Sequence, residues 1–447
     1  MSTAPGSFGI GAWAREPGGS RAHTLAGAFE HAIATSATHG TYISVGENGV
    51  SASGGELAGI PFAVKDNIDV AGFATTAGSP LFAGSMPDVD AGVVSALREA
   101  GAIVVGKTNM HELAFGITSN NAEYGPVRNP VDPTRSAGGS SGGSAATVAL
   151  GTVPFSLGTD TGGSITVPAS FCGVVGFRPS AGRYPSDGVV GLSWTRDTVG
   201  VHARSAADAR LVDGVIVRSP KAVGRSLGDL VIGVPRRRYD DVDPEVAAVA
   251  RRALESLSAA GVRTVDVDIA DDLEIGGAQG LELVLFESER LLVARAAADG
   301  IPGTFAELAA SIASPDVRGL AEMIASTPLP PAAYEAAREA RWRLRRSYSQ
   351  LFATGVDAII SPSSVVPPPA VGNDDVVELN GRDVPVFATV TRNAAPGTVA
   401  GVPMLSIPAG LGESGLPVGM TLEGAFFADD ALLAVGELLE QLGWSAA

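Results

Sequence analysis

Two glycine-flanked serines and an upstream lysine carry the chemistry that can be read directly from this chain. They lie in Gly138-Gly139-Ser140-Ser141-Gly142-Gly143-Ser144, Asp160-Thr161-Gly162-Gly163-Ser164 and Lys65-Asp66-Asn67. A serine hydroxyl is a poor nucleophile unless a base takes its proton, and lysine can be that base only as the neutral amine. Lysine titrates near ~10.4 in water, so serving near neutrality requires a loss of about three units, or about 4 kcal/mol, through burial and hydrogen bonds that favour the amine. Lys65 follows the apolar run Ile60-Pro61-Phe62-Ala63-Val64. That run has strand character and predicts a lysine emerging from the edge of a buried sheet.

The elements that must hold these groups alternate. Ala91 to Ala100 reads as a helix closed by Gly101, with Ala102 to Val105 as the following strand. Asp243-Pro244 opens a helix through Leu257, with Val246, Val249, Ala253 and Leu257 on one face. Gly261 stops it, and Val262 to Val267 alternates as a strand. Ala358 to Ser361 and Met404 to Pro408 read as buried strands, and Ala431 to Leu442 as a closing amphipathic helix. No linker or repeat divides the 447 residues, so a single domain over 1–447 is expected.

Lys65, the GGSSGGS and DTGGS segments, and their continuation through Pro168-Ala169-Ser170-Phe171-Cys172-Gly173 resemble the amidase signature family, closely over about residues 57–205. The resemblance implies an α/β fold with a mixed, mostly parallel central sheet flanked by helices on both sides. It also implies Ser164 as nucleophile, Ser140 as the bridging serine whose peptide is cis in the family, and Lys65 as terminal base. The backbone N–H groups of Thr161, Gly162, Gly163 and Ser164 would then cradle the oxyanion, where glycine lets main chain approach substrate. Asp160 and Ser141 would orient the loops by hydrogen bonding.

Other motifs lead elsewhere. Gly101 to Thr108 satisfies the phosphate-loop pattern GxxxxGK[ST], but there a strand precedes the first glycine, whereas here a helix does. Gly138 to Gly142 matches the GxSxG elbow, whose triad needs a later histidine. The only one is His202, in Val199-Gly200-Val201-His202-Ala203-Arg204, where packing is the simpler role. His23, His31, His39 and His111 have no ligand spacing, so no metal or other cofactor is indicated. Cys172, the one cysteine, sits in an apolar, cation-poor stretch that favours a buried thiol and excludes disulfides within the chain.

A net charge of −17 disfavours nucleic acid and anionic membranes as partners. Arg338, Arg341, Arg343, Arg345 and Arg346, interspersed with Glu335 and Glu339, read as a solvated helix face. Met1 to Ser20 lacks the apolar core of a secretory leader, and no apolar run approaches the ~20 residues that span a bilayer. The cytoplasm is the expected compartment, a small-molecule amide the expected partner, and a homodimer one arrangement left open.

Two departures from the family pattern stand out: Thr166 replaces the usual arginine, and Ala137 a common proline. The missing guanidinium removes a charge beside the nucleophile loop and puts the usual ion pairing there in doubt. His111 to Asn121 and Gly182 to Val190, followed by Trp194 to Thr198, resemble the arylacetamide branch of indoleacetamide and mandelamide hydrolases. Phe115, Tyr124, Phe171 and Trp194 are candidates for an aromatic acyl pocket, and the largely helical 281–350 for substrate selection. The alternative is a glutaminase of the glutamyl-tRNA amidotransferase kind that delivers ammonia to a partner.

Overall fold

A computed structural model of the protein describes residues 9–15, 18–47, 54–218 and 225–444, with side chains in the first long helix from residue 25 onward. Much of the Met1 to Ser20 stretch and the side chain of His23 lie outside the described residues.

The main-sheet strands are β1 (Tyr42–Val45), β2 (Pro61–Lys65), β3 (Ile103–Thr108), β4 (Phe155–Asp160), β5 (Val175–Arg178), β6 (Thr198–Ala203), β7 (Val231–Pro235), β8 (Arg263–Val267) and β9 (Ala358–Pro362). A separate hairpin of β10 (Val376–Leu379) and β11 (Arg382–Pro385) precedes β12 (Met404–Leu411) and β13 (Pro417–Glu423), which rejoin the main sheet. Its 11 strands run in the order β1-β3-β2-β4-β6-β5-β12-β13-β9-β7-β8. This is a single α/β domain with a large mixed sheet between helices.

The pairing is less parallel than the resemblance implied. Parallel neighbours form two blocks, β3-β2-β4 and β9-β7-β8. The pairs between the blocks, and the β1 edge, are antiparallel. Parallel neighbours need a crossover, which the helices Gly92–Glu99, Gly142–Ala149 and Pro244–Ala259 supply. The β5–β6 and β12–β13 connections contain no crossover helix, so those strands fold back on each other. Lys65 therefore ends an interior strand, with β3 on one side and β4 on the other, and not a lateral edge.

Alternation along the strands separates the two helical layers. Leu405 meets Gly436 of the helix Asp429–Glu440, whereas Gly176 and Gly419 lie against Ala169 and Ser170 of the helix Thr166–Cys172. Because Gly176 pairs with Ser406, next to Leu405, the two helices lie on opposite faces. Every residue of the helix Thr166–Cys172 is buried. It lies so close to the sheet that side chains beneath it must be absent or small.

The α/β rhythm expected from the sequence is present. Asp243 caps the helix Pro244–Ala259, accepting from the Glu245 amide at 2.9 Å, and Val246, Val249, Ala253 and Leu257 are buried. Gly101, at φ +91°, joins the helix Gly92–Glu99 to β3, so the phosphate-loop look-alike is a helix-to-strand turn. Among the described residues, no helix is long and apolar enough to cross a membrane.

Substituting Gly176→Ala would place a Cβ 2.5 Å from Ala169 Cβ and 2.9 Å from the Ile165 carbonyl oxygen. Relief requires the buried helix to lift, with an expected loss of about 1–3 kcal/mol. Urea unfolding should show a lower midpoint at unchanged slope; an unchanged midpoint would show that the helix yields freely.

Candidate active site

Three loops at the ends of β2 and β4 bring the singled-out residues together. Lys65 is fully buried, with Nζ 2.7 Å from Ser140 Oγ and 2.8 Å from Thr159 Oγ1. Asn67 Nδ2 donates to the same Thr159 oxygen at 3.1 Å and to Val190 O at 3.1 Å. No carboxylate lies within 4 Å of Nζ among the described residues. Burial accordingly lowers the Lys65 pKa to about 7, against the weaker opposing pull of Asp160 and Asp197.

Lys107 provides an internal contrast. It is as buried as Lys65, but its Nζ lies 3.5 Å from Asp66 Oδ1 and donates to Ala74 O, Thr75 Oγ1 and Asp66 O at 3.0, 3.1 and 3.4 Å. Burial lowers its pKa too, but there an adjacent carboxylate works to keep the charge. Three acceptors and an anion suit an ammonium. With two hydroxyl partners, a neutral amine can donate to Thr159 Oγ1 and turn its lone pair to the Ser140 hydroxyl.

Ser140 is buried, and the Gly139–Ser140 peptide is cis. Its carbonyl accepts from the His111 amide at 3.1 Å and from Ser119 Oγ at 3.3 Å. Ser141 Oγ donates to Thr159 O at 3.0 Å and accepts from Thr159 N at 3.3 Å, tying this loop to β4. Ser164 is 6% exposed, and among the described residues no hydrogen bond joins its hydroxyl to Ser140.

Asp160 organises the loop between β4 and Ser164. Its Oδ1 accepts from the Gly163 amide at 3.0 Å, and its Oδ2 from the Ile165 amide at 2.7 Å. Arg178, fully buried on β5, donates to Asp160 Oδ1 at 2.9 Å and to its carbonyl at 2.6 Å. A buried ion pair thus stands beside this loop although residue 166 is threonine, its cation supplied from another strand. Of the four amides in the expected cradle, Gly163's is already engaged with Asp160, which leaves those of Thr161, Gly162 and Ser164. Thr161 Oγ1 donates to Asp197 Oδ1 at 2.6 Å. Asp197 and Arg178 were not singled out in the sequence, since each acts from a strand or loop remote from the motif it supports.

The remaining candidates separate. A cavity of about 470 Å³ opens beside the site, lined by Asn67, Thr159 and Thr161 at one end and by Trp194, Arg341 and Arg345 among its other walls. Ser164 is not among these walls, and of the four aromatic candidates only Trp194 is. Phe171 packs with Ile117 and Val167 in the core, and Phe115 against Met110 and Leu192. Tyr124 is half-buried near Thr76 and Asp66, and burial raises its phenol. Arg338 pairs with Glu335 in solvent as expected, whereas Arg341 and Arg345 face inward.

His202 is buried on β6, with Nε2 3.1 Å from the Ile165 carbonyl, and burial lowers its pKa to about 3. Cys172 is buried and its pKa is raised by burial. His111 Nε2 lies 2.9 Å from Asp316 Oδ2, and Asp374 completes a cluster whose ligand-type atoms lie within 4.8 Å of one another. Asp316 and Asp374 come from beyond residue 300, so no local spacing could show this cluster.

A sequence profile described as "Amidase" matches residues 23–433, and the chain belongs to the amidase signature family. It is 38% identical over 390 residues to an indoleacetamide hydrolase of Allorhizobium ampelinum, covering 86% of this chain and 84% of that one. It is 39% identical over 404 residues to a mandelamide hydrolase of Pseudomonas putida, covering 86% and 78%. An amidase crystal structure superposes with a TM-score of 0.82 at 34% identity, covering 94% of this chain and 95% of that one. A component of the glutamyl-tRNA(Gln) amidotransferase of Thermotoga maritima also superposes at 0.82, with 28% identity and coverage of 99% and 96%.

Linkage makes the state of Lys65 measurable without any assay of turnover. Its pKa is about 7 in the folded chain against 10.5 as the reference value. Below pH 7 both states are protonated and the burial penalty is whole. Between the two values the unfolded chain holds the extra proton, so stability rises with pH by up to ~1.4 kcal/mol per unit. The stability of Lys65→Met minus that of wild type should be flat below about pH 7 and then fall towards pH 10. A constant difference in urea unfolding across that range would mean that the folded lysine stays charged.

Proposed function

We propose that this amidase hydrolyses small aromatic or aryl-aliphatic carboxamides to the carboxylate and ammonia or an amine, through an acyl-enzyme on Ser164. The observation that carries the mechanism is the 2.7 Å contact between a sealed Lys65 amine without a counter-ion and Ser140 Oγ. Neutral Lys65 takes the Ser140 proton as Ser140 takes that of Ser164, and Ser164 Oγ bonds to the amide carbon. The carbonyl electron pair moves onto oxygen, which the amides of Thr161, Gly162, Gly163 and Ser164 receive, Gly163 while shared with Asp160. The relay then reverses: Ser140 protonates the nitrogen, the C–N bond breaks, and water activated along the same path releases the acid. Hydrogen bonds of this kind commonly tighten only in the Michaelis complex, which accommodates the open Ser164–Ser140 link.

The aromatic preference rests on the indoleacetamide and mandelamide hydrolases among the relatives. Division of labour follows: about 57–205 carries the relay, and 281–350 selects substrate. The latter segment lends Leu291, Arg341 and Arg345 to the cavity and Asp316 to His111.

Ammonia release should show kcat/KM for phenylacetamide at least ~100-fold above that for acetamide, since burying a ring readily supplies the ~2.7 kcal/mol required. Ser164→Ala should lower kcat by ~10⁴-fold or more, and a fluorophosphonate should label Ser164. Equal rates on both amides, a preference for glutamine, or labelling at Ser140 would overturn the corresponding part.

The pH dependence has a definite sign. The base is the neutral amine, so kcat/KM should rise with pH through an apparent pKa near 7, and His202→Ala should retain that profile. A rate that falls through this range would exclude Lys65 as the base.

A further inference from the structure

Beyond the reacting groups, the 470 Å³ cavity has a charge pattern of its own. Arg345 forms no hydrogen bond or ion pair among the described residues; its guanidinium lies over the Phe426 ring at 4.3 Å and near Trp342 at 5.2 Å. Arg341 spends Nε on Val399 O and one terminal nitrogen on Thr195 O, both at 2.9 Å, and has no carboxylate within 4 Å among the described residues. Glu287, which attracts Arg341, gives its oxygens to Ser193, Thr195 and Tyr334. Two part-buried guanidiniums without counter-ions, in a chain of net charge −17, form an unusual local excess of positive charge. Burial lowers both, Arg341 to about 10 with Arg345 adding repulsion, which an anion between them would relieve.

The other walls say what kind of anion fits. Trp194 is 51% exposed, and Val190, Leu192 and Leu291 add apolar surface. The walls also include Asp197, whose carboxylate repels a dianion such as phosphate more strongly than a monoanion. The volume suits a small organic molecule. We propose that this cavity binds a small aromatic carboxylate, with its anionic group on Arg341 and Arg345 and its ring beside Trp194. Bidentate contact between guanidinium and carboxylate supplies the recognition, and stacking on Phe426 holds the Arg345 fork in place. Under the amide-hydrolysis reading above, this is the chemical class of the released acyl product. The cavity would then sense product from the side of Thr159 and Asn67, the residues that fix Lys65. Only that last link rests on the proposed function, because binding needs no turnover.

The test is calorimetric titration of the whole protein with phenylacetate at low ionic strength, with 2-phenylethanol as the uncharged counterpart. Phenylacetate should bind at least ~10-fold more tightly than the alcohol, and Arg345→Met should weaken it by ~10-fold or more while Arg345→Lys stays closer to wild type. Thermal melting of each variant checks the fold. Binding should survive fluorophosphonate labelling of wild-type protein, because Ser164 is not a wall of the cavity. Unchanged affinity in both Arg345→Met and Arg341→Met, equal binding of the alcohol, or loss of binding on labelling would overturn the proposal. Failure to hydrolyse aryl amides would not alter the titration, so the two readings stand or fall separately.

Discussion

The architecture around the site is governed by the desolvation of one lysine. An amine at the end of an interior strand, walled by two parallel neighbours and two loops, loses its hydration without gaining an ion pair, and its proton becomes easy to remove. The surrounding contacts keep water and carboxylates out while leaving hydroxyls in reach. Asp66 is the residue best placed to spoil this, being next in sequence and acidic. The fold turns it away: its carboxylate accepts from the Thr76 and Gly78 amides at 3.0 and 3.2 Å and from the Thr76 hydroxyl, and it faces Lys107. Two buried lysines on adjacent strands are thereby given different surroundings: Lys107 meets the Asp66 carboxylate, and among the described residues Lys65 meets none within 4 Å.

A second buried charge, Asp160, does structural work that the first could not tolerate at closer range. It holds the backbone amides of Gly163 and Ile165, and so shapes the turn that presents Ser164, while Arg178 balances its charge. An unpaired carboxylate there would carry a large desolvation penalty and would also draw a proton onto Lys65. Arg178 continues to the carbonyl of Arg196, whose own guanidinium donates to Gly280 O and Thr398 Oγ1. The loop that carries Ser164 is thus tied through arginines to the helix Gly280–Ala298 and to the short helix Ala395–Ala400. That arrangement explains why threonine is tolerated at 166: Thr166 Oγ1 needs only the Gly163 carbonyl at 3.4 Å, and the positive charge arrives from β5.

What could be read from the sequence follows the range of the interactions. The Asp243 cap, the Gly101 turn and the apolar run into Lys65 are local, and each stands where the residues put it. The motif serines and Lys65 were legible because glycine-rich loops are rare enough in combination to carry a family resemblance. Sheet pairing was not, since the antiparallel contact between β5 and β12 depends on a chain path more than two hundred residues long. Aromatic pocket candidates met the same limit. Phe171 and Trp194 each follow a serine in sequence, but one is on a helix pressed against the sheet and the other on the open β5–β6 connection. The arginines of the helix Pro331–Phe352 alternate with glutamates and look like a solvated face; that Arg341 and Arg345 turn inward depends on Thr195, Val399 and Phe426, none of them nearby in the chain.

The same geometry explains why the only late histidine is ill-suited to be the base. His202 lies on the sheet face that carries the helix Thr166–Cys172, since it pairs with Gly176, which touches that helix. A carbonyl can only accept, so the 3.1 Å contact to Ile165 O fixes the His202 proton on Nε2. The basic lone pair is then on Nδ1, which is buried and has no hydrogen-bond partner among the described residues. Picking up a proton there would create an unpaired imidazolium in the core, consistent with a pKa lowered to about 3. His202 therefore secures the turn into the helix Thr166–Cys172 as a fixed donor, and a nitrogen that must gain and lose a proton has to lie where hydroxyls can follow it. Lys65, between Ser140 and Thr159, meets that requirement: its aliphatic stem fills the core, and only Nζ reaches the polar seam where the two loops meet.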